Sequence, residues 1–118
     1  MKNSRTVGED YEKQAAEHLK TLGYKVLEKN FRCRTGEIDL IAKDGAYLVF
    51  VEVKYRAGTA MGEPQEAVDV RKQRKISRTA SYYCMTHRIP QDQPCRFDVA
   101  ACCAGEWVVI RNAFDYVQ

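Results

Sequence analysis

The stretch GEIDLIAKDGAYLVFVEVK, residues 36–54, carries two short apolar runs on either side of an Asp-Gly pair. Runs rich in β-branched and aromatic residues are typical of strands, and Asp-Gly between two such runs indicates a β-hairpin. We therefore predict antiparallel strands over Glu37–Ala42 and Tyr47–Lys54, joined around Asp44 and Gly45. The other predicted elements lie on either side of this hairpin in the chain.

The predicted hairpin gathers charged side chains on one of its faces. Side chains alternate along a strand, so Glu52 and Lys54 point the same way. A two- or four-residue loop centred on the Asp-Gly pair sets Asp39 opposite Phe50. The same register sets Glu37 opposite Glu52, so that Asp39 and Glu52 are diagonal neighbours about 7–8 Å apart. A three- or five-residue loop would move Asp39 to the other face.

Two converging carboxylates beside an ammonium group favour a metal-dependent site. Mg²⁺ binds oxygen ligands and keeps several waters, so Asp39 and Glu52 are the candidate ligands. Lys54 is the candidate to orient or deprotonate an attacking water, or to neutralise charge on a phosphate. A solvent-facing side with cross-strand ion pairs is the alternative interpretation, and the sequence leaves it open.

Two helices are predicted outside the hairpin. Apolar residues at helical spacing indicate the first over about Val7–Leu22. Thr6 and Glu9 are spaced as a capping box at its start, and Gly23 is a natural stop. The second helix is predicted over about 64–85, because a proline at position 64 suits a first turn.

The second helix has an apolar side and a basic side. The apolar side carries Ile76, Ala80, Tyr83 and Cys84. The opposite side carries Arg71, Arg74, Lys75 and Arg78, which we expect to form a solvated face. Lys72 is the exception, because it lies one turn before Ile76 and leans toward the apolar side. We predict that Lys72 contacts a phosphate, with a snorkelling lysine as the alternative.

Three further strands complete the predicted fold, over Tyr24–Leu27, Arg96–Cys102 and Trp107–Arg111. The order helix, three strands, helix, two strands indicates an α/β domain with a mixed sheet. A chain of 118 residues with 45% hydrophobic residues has the length and composition of one globular domain, so we expect a single domain over 1–118.

The charge distribution favours a polyanionic partner. The net charge is only +3, but the window 70–91 contains six basic residues and no acidic one. The longest apolar run has six residues, which is too short to cross a membrane. The N-terminus lacks the apolar region of a signal peptide, so we expect a cytoplasmic protein without membrane contact.

The five cysteines favour reduced, inert thiols. Their number is odd, two are adjacent, and no Cys-x-x-Cys pair occurs. A zinc site built from Cys84, His87, Cys95 and Cys102 is weakly supported, because the single Cys-x-x-His pair has no matching second pair.

Several segments together resemble a known family. The matching segments are GE at 8–9, GEIDLIA at 36–42, FVEVKYR at 50–56, RFDVA at 96–100 and NAF at 112–114. They resemble the YraN-like family of uncharacterised bacterial proteins over nearly the whole chain. That family is predicted to have a restriction-endonuclease-like fold and to be distantly similar to archaeal Holliday-junction resolvases. The resemblance implies an active site of Asp39, Glu52 and Lys54, with Glu9 as a further acidic residue.

The resemblance and the residues lead to one expected function. We expect a Mg²⁺- or Mn²⁺-dependent endonuclease that hydrolyses phosphodiester bonds in DNA, branched DNA in particular. Asp39, Glu52 and Lys54 would be catalytic, and Glu9 would join the two carboxylates in holding the metal. Nucleic-acid contacts are expected from Arg32, Arg34 and Arg56, placed on loops, and from Lys72. A non-catalytic nucleic-acid-binding module and a partner-binding scaffold are the alternatives, and homodimer formation is left open.

Overall fold

The computed structural model describes residues 4–56 and 68–118, with side chains over 10–55 and 68–118. Its elements are α1 Ser4–Thr21, β1 Lys25–Cys33, β2 Gly36–Asp44, β3 Tyr47–Arg56, α2 Val70–Thr86, β4 Cys95–Cys103 and β5 Glu106–Phe114. The predicted order of helix, three strands, helix and two strands is confirmed. Within the two described ranges, neither helix is long and apolar enough to cross a membrane.

The strands form one mixed sheet in the order β1-β2-β3-β4-β5. Neighbouring strands are antiparallel except β3 and β4, which run parallel. Parallel strands need a crossover connection, and α2 lies in that connection. Strands β2, β3 and β4 are in the interior of the sheet, and β1 and β5 form its edges. The two parallel strands, β3 and β4, are rich in apolar residues.

The two helices cover opposite faces of the sheet. Leu19 of α1 belongs to a buried cluster with Val49 and Val51 of β3. Ile76 of α2 belongs to a second buried cluster with Phe50 of β3. Because side chains alternate along a strand, successive residues of β3 pack against different helices. Burial of these apolar side chains supplies the main driving force for the fold.

The predicted end of α1 is confirmed, and its predicted start is wrong. Gly23 has a φ of +95°, and the N–H of Tyr24 donates to the Leu19 carbonyl oxygen at 3.0 Å, which closes the last turn. At the other end the helix begins at Ser4, so Thr6 lies inside it and is not its N-cap. No proline or glycine precedes Thr6 closely enough to stop the extra turn.

Helix α2 begins later than predicted. Val68 and Asp69 are not helical, and the helix starts at Val70 with Asp69 as its N-cap. The Asp69 carboxylate accepts a hydrogen bond from the N–H of Lys72 at 2.9 Å, the bond expected of an N-cap aspartate. Residues 64–67, where the start was predicted, lie outside the described residues.

The β2–β3 hairpin is formed, with a register that differs from the predicted one. Asp44 pairs with Tyr47, so the loop consists of Gly45 and the residue after it. Gly45 has a φ of +59°, which suits the first loop position of a tight hairpin turn. Phe50 therefore faces Ile41, and the predicted Asp39–Phe50 pair is wrong. The loop still has two residues, so the predicted parity of the two strands is retained.

Edge strand β1 is much longer than the predicted Tyr24–Leu27. It pairs with β2 from Lys25, opposite Lys43, to Cys33, opposite Gly36. Its sequence KVLEKNFRC is largely polar and half-exposed, so no apolar pattern marked its second half. Pairing with β2, which is a tertiary effect, extends the strand.

Candidate functional site

The candidate site lies where β2 and β3 separate. Counted away from the hairpin loop, the last pair in their register is Leu40–Val51, and Asp39 is the next residue of β2. Beyond this point the N–H of Val53 donates to Oδ2 of the Asp39 carboxylate at 2.8 Å. The side chain of Asp39 thus takes the position of a ladder acceptor, and its carboxylate is drawn toward β3.

A cluster of three carboxylates lies at this point. One oxygen each of Glu12, Glu37 and Asp39 lies within 4.8 Å of the others. Glu12 comes from α1, so the cluster joins the helix to the end of β2. Oε2 of Glu12 is buried and has no hydrogen-bond partner among the described residues. A buried oxygen without a donor is costly, which makes it the most conspicuous polar atom of the site.

The environment of the cluster opposes negative charge. Burial, and then the charge of Glu52, raise the pKa of Asp39 to about 8, although the hydrogen bond from Val53 opposes the shift. Burial also raises the pKa of Glu12, with a smaller contribution from the charge of Glu37, although a hydrogen bond with Asn30 opposes the shift. The cause is the same in both cases, because a carboxyl group with reduced access to solvent lies beside other carboxylates.

Two lysines hold the neighbouring carboxylate, Glu52. Its side chain is only 6% exposed, and Nζ of Lys72 lies 2.7 Å from Oε1. Nζ of Lys54 lies 3.5 Å from the same oxygen. Burial lowers the pKa of Lys54, and the nearby Lys72 charge adds to that effect although the charge of Glu52 opposes it. Burial also acts to lower the pKa of Lys72, but the hydrogen bond and the charge of Glu52 act together against it, and the net shift of that pKa is upward. Burying Glu52 is thus compensated by direct ion pairs.

An open cleft of about 430 Å³ combines these acids with the basic first turns of α2. Its charged lining residues are Glu37, Asp39, Glu52, Asp69, Arg71, Lys72 and Lys75. A smaller cleft of about 280 Å³ shares Asp39, Glu52 and Lys72 with it and extends toward α1. A space with carboxylates on one wall and cations on the other is suited to a metal ion and a phosphate group together.

Four of the residues singled out from the sequence meet at the site: Asp39, Glu52, Lys54 and Lys72. Arg32 lies in β1 and not on a loop, and its Nε donates to Oε2 of Glu37 at 3.2 Å. Arg34 is exposed in the turn between β1 and β2. The backbone of Glu9 lies in α1 and that of Arg56 at the end of β3, not on a loop, but both side chains lie outside the described residues.

Sequence reasoning missed two contributions to the site. Glu12 follows Glu9 by three residues and so lies on the same side of α1, a signal that was present in the sequence. Arg71 and Lys75 are exposed, as expected of a solvated face, but both also line the acidic cleft. The position of the first turns of α2 beside the end of β2 places them there, and periodicity alone does not reveal that position.

Comparison with other proteins places the chain among bacterial relatives. The sequence profile described as Uncharacterised protein family UPF0102 matches residues 11–102. A UPF0102 protein of Lachnoclostridium phytofermentans is 48% identical over 113 residues, covering 96% of each chain. Another from Stutzerimonas stutzeri is 44% identical over 98% of this chain and 99% of its own. A third, from Symbiobacterium thermophilum, is 53% identical over 81% of this chain and 80% of its own.

Proposed function

The chain belongs to the UPF0102 family, as its motifs indicated, and for this member we propose metal-dependent hydrolysis of phosphodiester bonds in DNA. The observation that carries the proposal is the carboxylate cluster of Glu12, Glu37 and Asp39 beside the lysine-bound Glu52. Branched DNA is the substrate form that the family resemblance suggests. Phosphoryl transfer needs positive charge where the phosphate oxygens develop negative charge.

The donor set fits a hard divalent cation, Mg²⁺ or Mn²⁺. All candidate ligands are carboxylate oxygens, the type these ions prefer. Oε2 of Glu12 is buried without a described partner, and a cation would satisfy it. We propose Asp39 and Glu52 as ligands, with Glu9 assisting and Glu12 added from the structure. When bound, the ion supplies Lewis acidity toward the phosphate and toward a water molecule.

The protein's own cations complete the proposed chemistry. We propose that Lys54, whose Nζ lies 3.5 Å from Oε1 of Glu52, orients the attacking water and holds or accepts a proton at Nζ. Lys72, with Arg71 and Lys75 in the same cleft, is proposed to bind the phosphate. We propose DNA-backbone contacts farther out for Arg32, Arg34 and Arg56.

A cleavage assay tests this proposal. Purified protein is incubated with linear, flapped and four-way DNA, and with RNA, in Mg²⁺, in Mn²⁺ and in chelator. We expect cutting in the presence of either metal, none in chelator, and none with Asp39→Ala. Asp92→Ala is a matched control, because Asp92 is an exposed aspartate that lines neither acidic cleft, and it should retain cutting. Absence of metal-dependent cleavage on every substrate, or full activity of Asp39→Ala, would refute the proposal.

One observation favours a second candidate, a non-catalytic nucleic-acid-binding module. The 2.7 Å pair between Lys72 and Glu52 neutralises part of the acidic site without a metal. Phosphate contacts alone would give binding that weakens with salt and needs no divalent ion. Affinity that is unchanged by chelator, together with no cleavage, would favour this module. A partner-binding scaffold, the third possibility, predicts no binding to nucleic acid at all.

A cytoplasmic location is part of the proposal. All five cysteines are free, as suits a reducing compartment. Homodimer formation, which the sequence leaves open, is tested by the mass of the protein in solution.

A further inference from the structure

Two tyrosines form a stacked pair next to the acidic site. The ring of Tyr11, on α1, and the ring of Tyr55, at the end of β3, have centroids 3.9 Å apart and planes 22° apart. This close stacking holds the two rings as one flat unit.

The pair belongs to the same space as the carboxylates and the lysines. Both rings line the 280 Å³ cleft together with Glu12, Asp39 and Lys54. Tyr55 follows Lys54 directly in the chain, so its ring begins one residue from the proposed active amine. The acidic site therefore has a cationic side, on α2, and an aromatic side, formed by α1 and β3.

The tyrosine pair is not part of the hydrophobic core. Neither ring belongs to the two buried clusters that pack α1 and α2 on the sheet. Tyr55 is 47% exposed, although it is a large side chain. A stacked pair covers one face of each ring, and no second ring stacks on Tyr55 within 10–55 and 68–118, so its other face is the one that a ligand with a flat π system would use.

We propose that the Tyr11–Tyr55 pair is a stacking platform for an unpaired nucleobase next to the phosphate bound at the acidic site. The inference rests on the proposed function, because that function places a nucleic-acid phosphate in the adjoining cleft. A base inside a duplex is stacked on both faces and is not available to a protein ring. The platform thus selects substrates with an unpaired or unstacked nucleotide, and stacking is tolerant of base identity.

Binding measurements without hydrolysis test the platform. Anisotropy in chelator gives the affinities of a labelled single strand and of the corresponding duplex for the parent and for Tyr55→Leu. We expect Tyr55→Leu to bind the single strand roughly tenfold more weakly, about 1.4 kcal/mol, while its duplex affinity stays within twofold. Tyr55→Trp, which keeps a flat ring, should retain the preference for single strands and guards against a folding defect in the leucine variant.

Tyr82 provides a matched control. It is a tyrosine of similar exposure, 43%, on α2, and its ring lies near Phe31 and not in the acidic clefts. Tyr82→Leu should leave both affinities unchanged. A 2-aminopurine base in the single strand adds a direct readout, because stacking on Tyr55 quenches its fluorescence and Tyr55→Leu should remove that quenching.

The outcomes separate the platform from the function on which it rests. If the parent binds or cuts DNA but Tyr55→Leu leaves the single-strand preference intact, the platform is refuted and the proposed function stands. Equal weakening of single strand and duplex also refutes the platform, because it indicates a general loss of the site. If the parent binds no nucleic acid in chelator, and neither binds nor cuts any form with Mg²⁺ or Mn²⁺, both are refuted.

Discussion

Replacement of Lys72 by methionine tests how the acidic site is balanced without a metal. Methionine has nearly the length of lysine but no charge, so Lys72→Met removes the 2.7 Å ion pair to Glu52 with little change in packing. Lys72 competes with a cation for Glu52, because its positive charge lies 2.7 Å from Oε1 of that carboxylate. We therefore expect Lys72→Met to bind Mn²⁺ more tightly than the parent does.

The size of the gain follows from the exposure of the pair. A hydrogen bond between charged groups contributes about 1.5–3 kcal/mol. Glu52 is buried, but the Lys72 side chain is 45% exposed, so solvent screening reduces the value to the lower end of that range or below it. An expected gain of about 1.4 kcal/mol corresponds to a roughly tenfold lower Kd. Lys54 stays 3.5 Å from Glu52 and limits the cost to folding.

The measurement is a Mn²⁺ titration followed by electron paramagnetic resonance or calorimetry at fixed pH and ionic strength. Lys75→Met is the matched control, because Lys75 lines the same cleft on the same helix, whereas the ion pairs of Glu52 are with Lys54 and Lys72. It should gain at most twofold. Metal affinity that is unchanged or weaker in Lys72→Met would refute the reasoning. An equal gain in Mn²⁺ affinity in Lys75→Met would show that the effect comes from net charge and not from the ion pair.

Three further predictions address catalysis and stability. Lys54→Ala should reduce cleavage by a factor that corresponds to about 2.7–4 kcal/mol while DNA affinity, measured by anisotropy, changes little; a parallel loss of affinity would show that Lys54 only binds. Asp98 is 0% exposed and accepts hydrogen bonds from Tyr24 at 2.6 Å and from Arg96 at 2.9 Å. Asp98→Ala should therefore lower the free energy of unfolding in urea by about 3–5 kcal/mol. A decrease below about 1 kcal/mol would contradict a buried charge network. Asp69→Ala should lower the free energy of unfolding by about 1 kcal/mol, and Asp69→Asn, which can still cap α2, should lower it less; equal losses would argue against the cap.

The parts of the fold that the sequence predicted are those where local signals agree. The run Tyr47–Lys54 is apolar and β-branched, and most of it is buried between two helices in β3. The apolar side of α2 was predicted from its period, and Ile76, Ala80 and Tyr83 are indeed buried. In these segments the burial pattern and the intrinsic preference point to the same structure.

The failures occur where long-range contacts decide. β1 has a polar, half-exposed sequence and becomes a nine-residue strand only through pairing with β2. Helix α2 starts after Asp69, whose carboxylate accepts the N–H of Lys72. In the sequence, a proline five residues before Asp69 was an equally suitable helix start. Helix starts and edge strands are therefore weakly encoded by local sequence.

The candidate site shows both cases within a few residues. The parity of the hairpin predicted that Asp39 and Glu52 approach each other, and the two-residue loop preserves that parity despite the shifted turn. Nothing in the alternation predicts that Asp39 accepts the N–H of Val53, because this bond forms where the regular ladder has ended. The approach of Glu12 to Glu37 and Asp39 depends on where α1 crosses the sheet, and the three-residue spacing from Glu9 does not specify that position.

The distribution of charge within the site explains why the lysines and the carboxylate cluster have separate roles. Both Lys54 and Lys72 are directed at a single oxygen of Glu52, so that carboxylate is compensated twice. The cluster of Glu12, Glu37 and Asp39 has one described ion pair, from Arg32 to Glu37 at 3.2 Å. Glu12 and Asp39 have no ion pair among the described residues, and burial raises the pKa of both carboxyl groups. A divalent cation would compensate this side of the site, and a phosphate held between it and the lysines would meet positive charge from both directions.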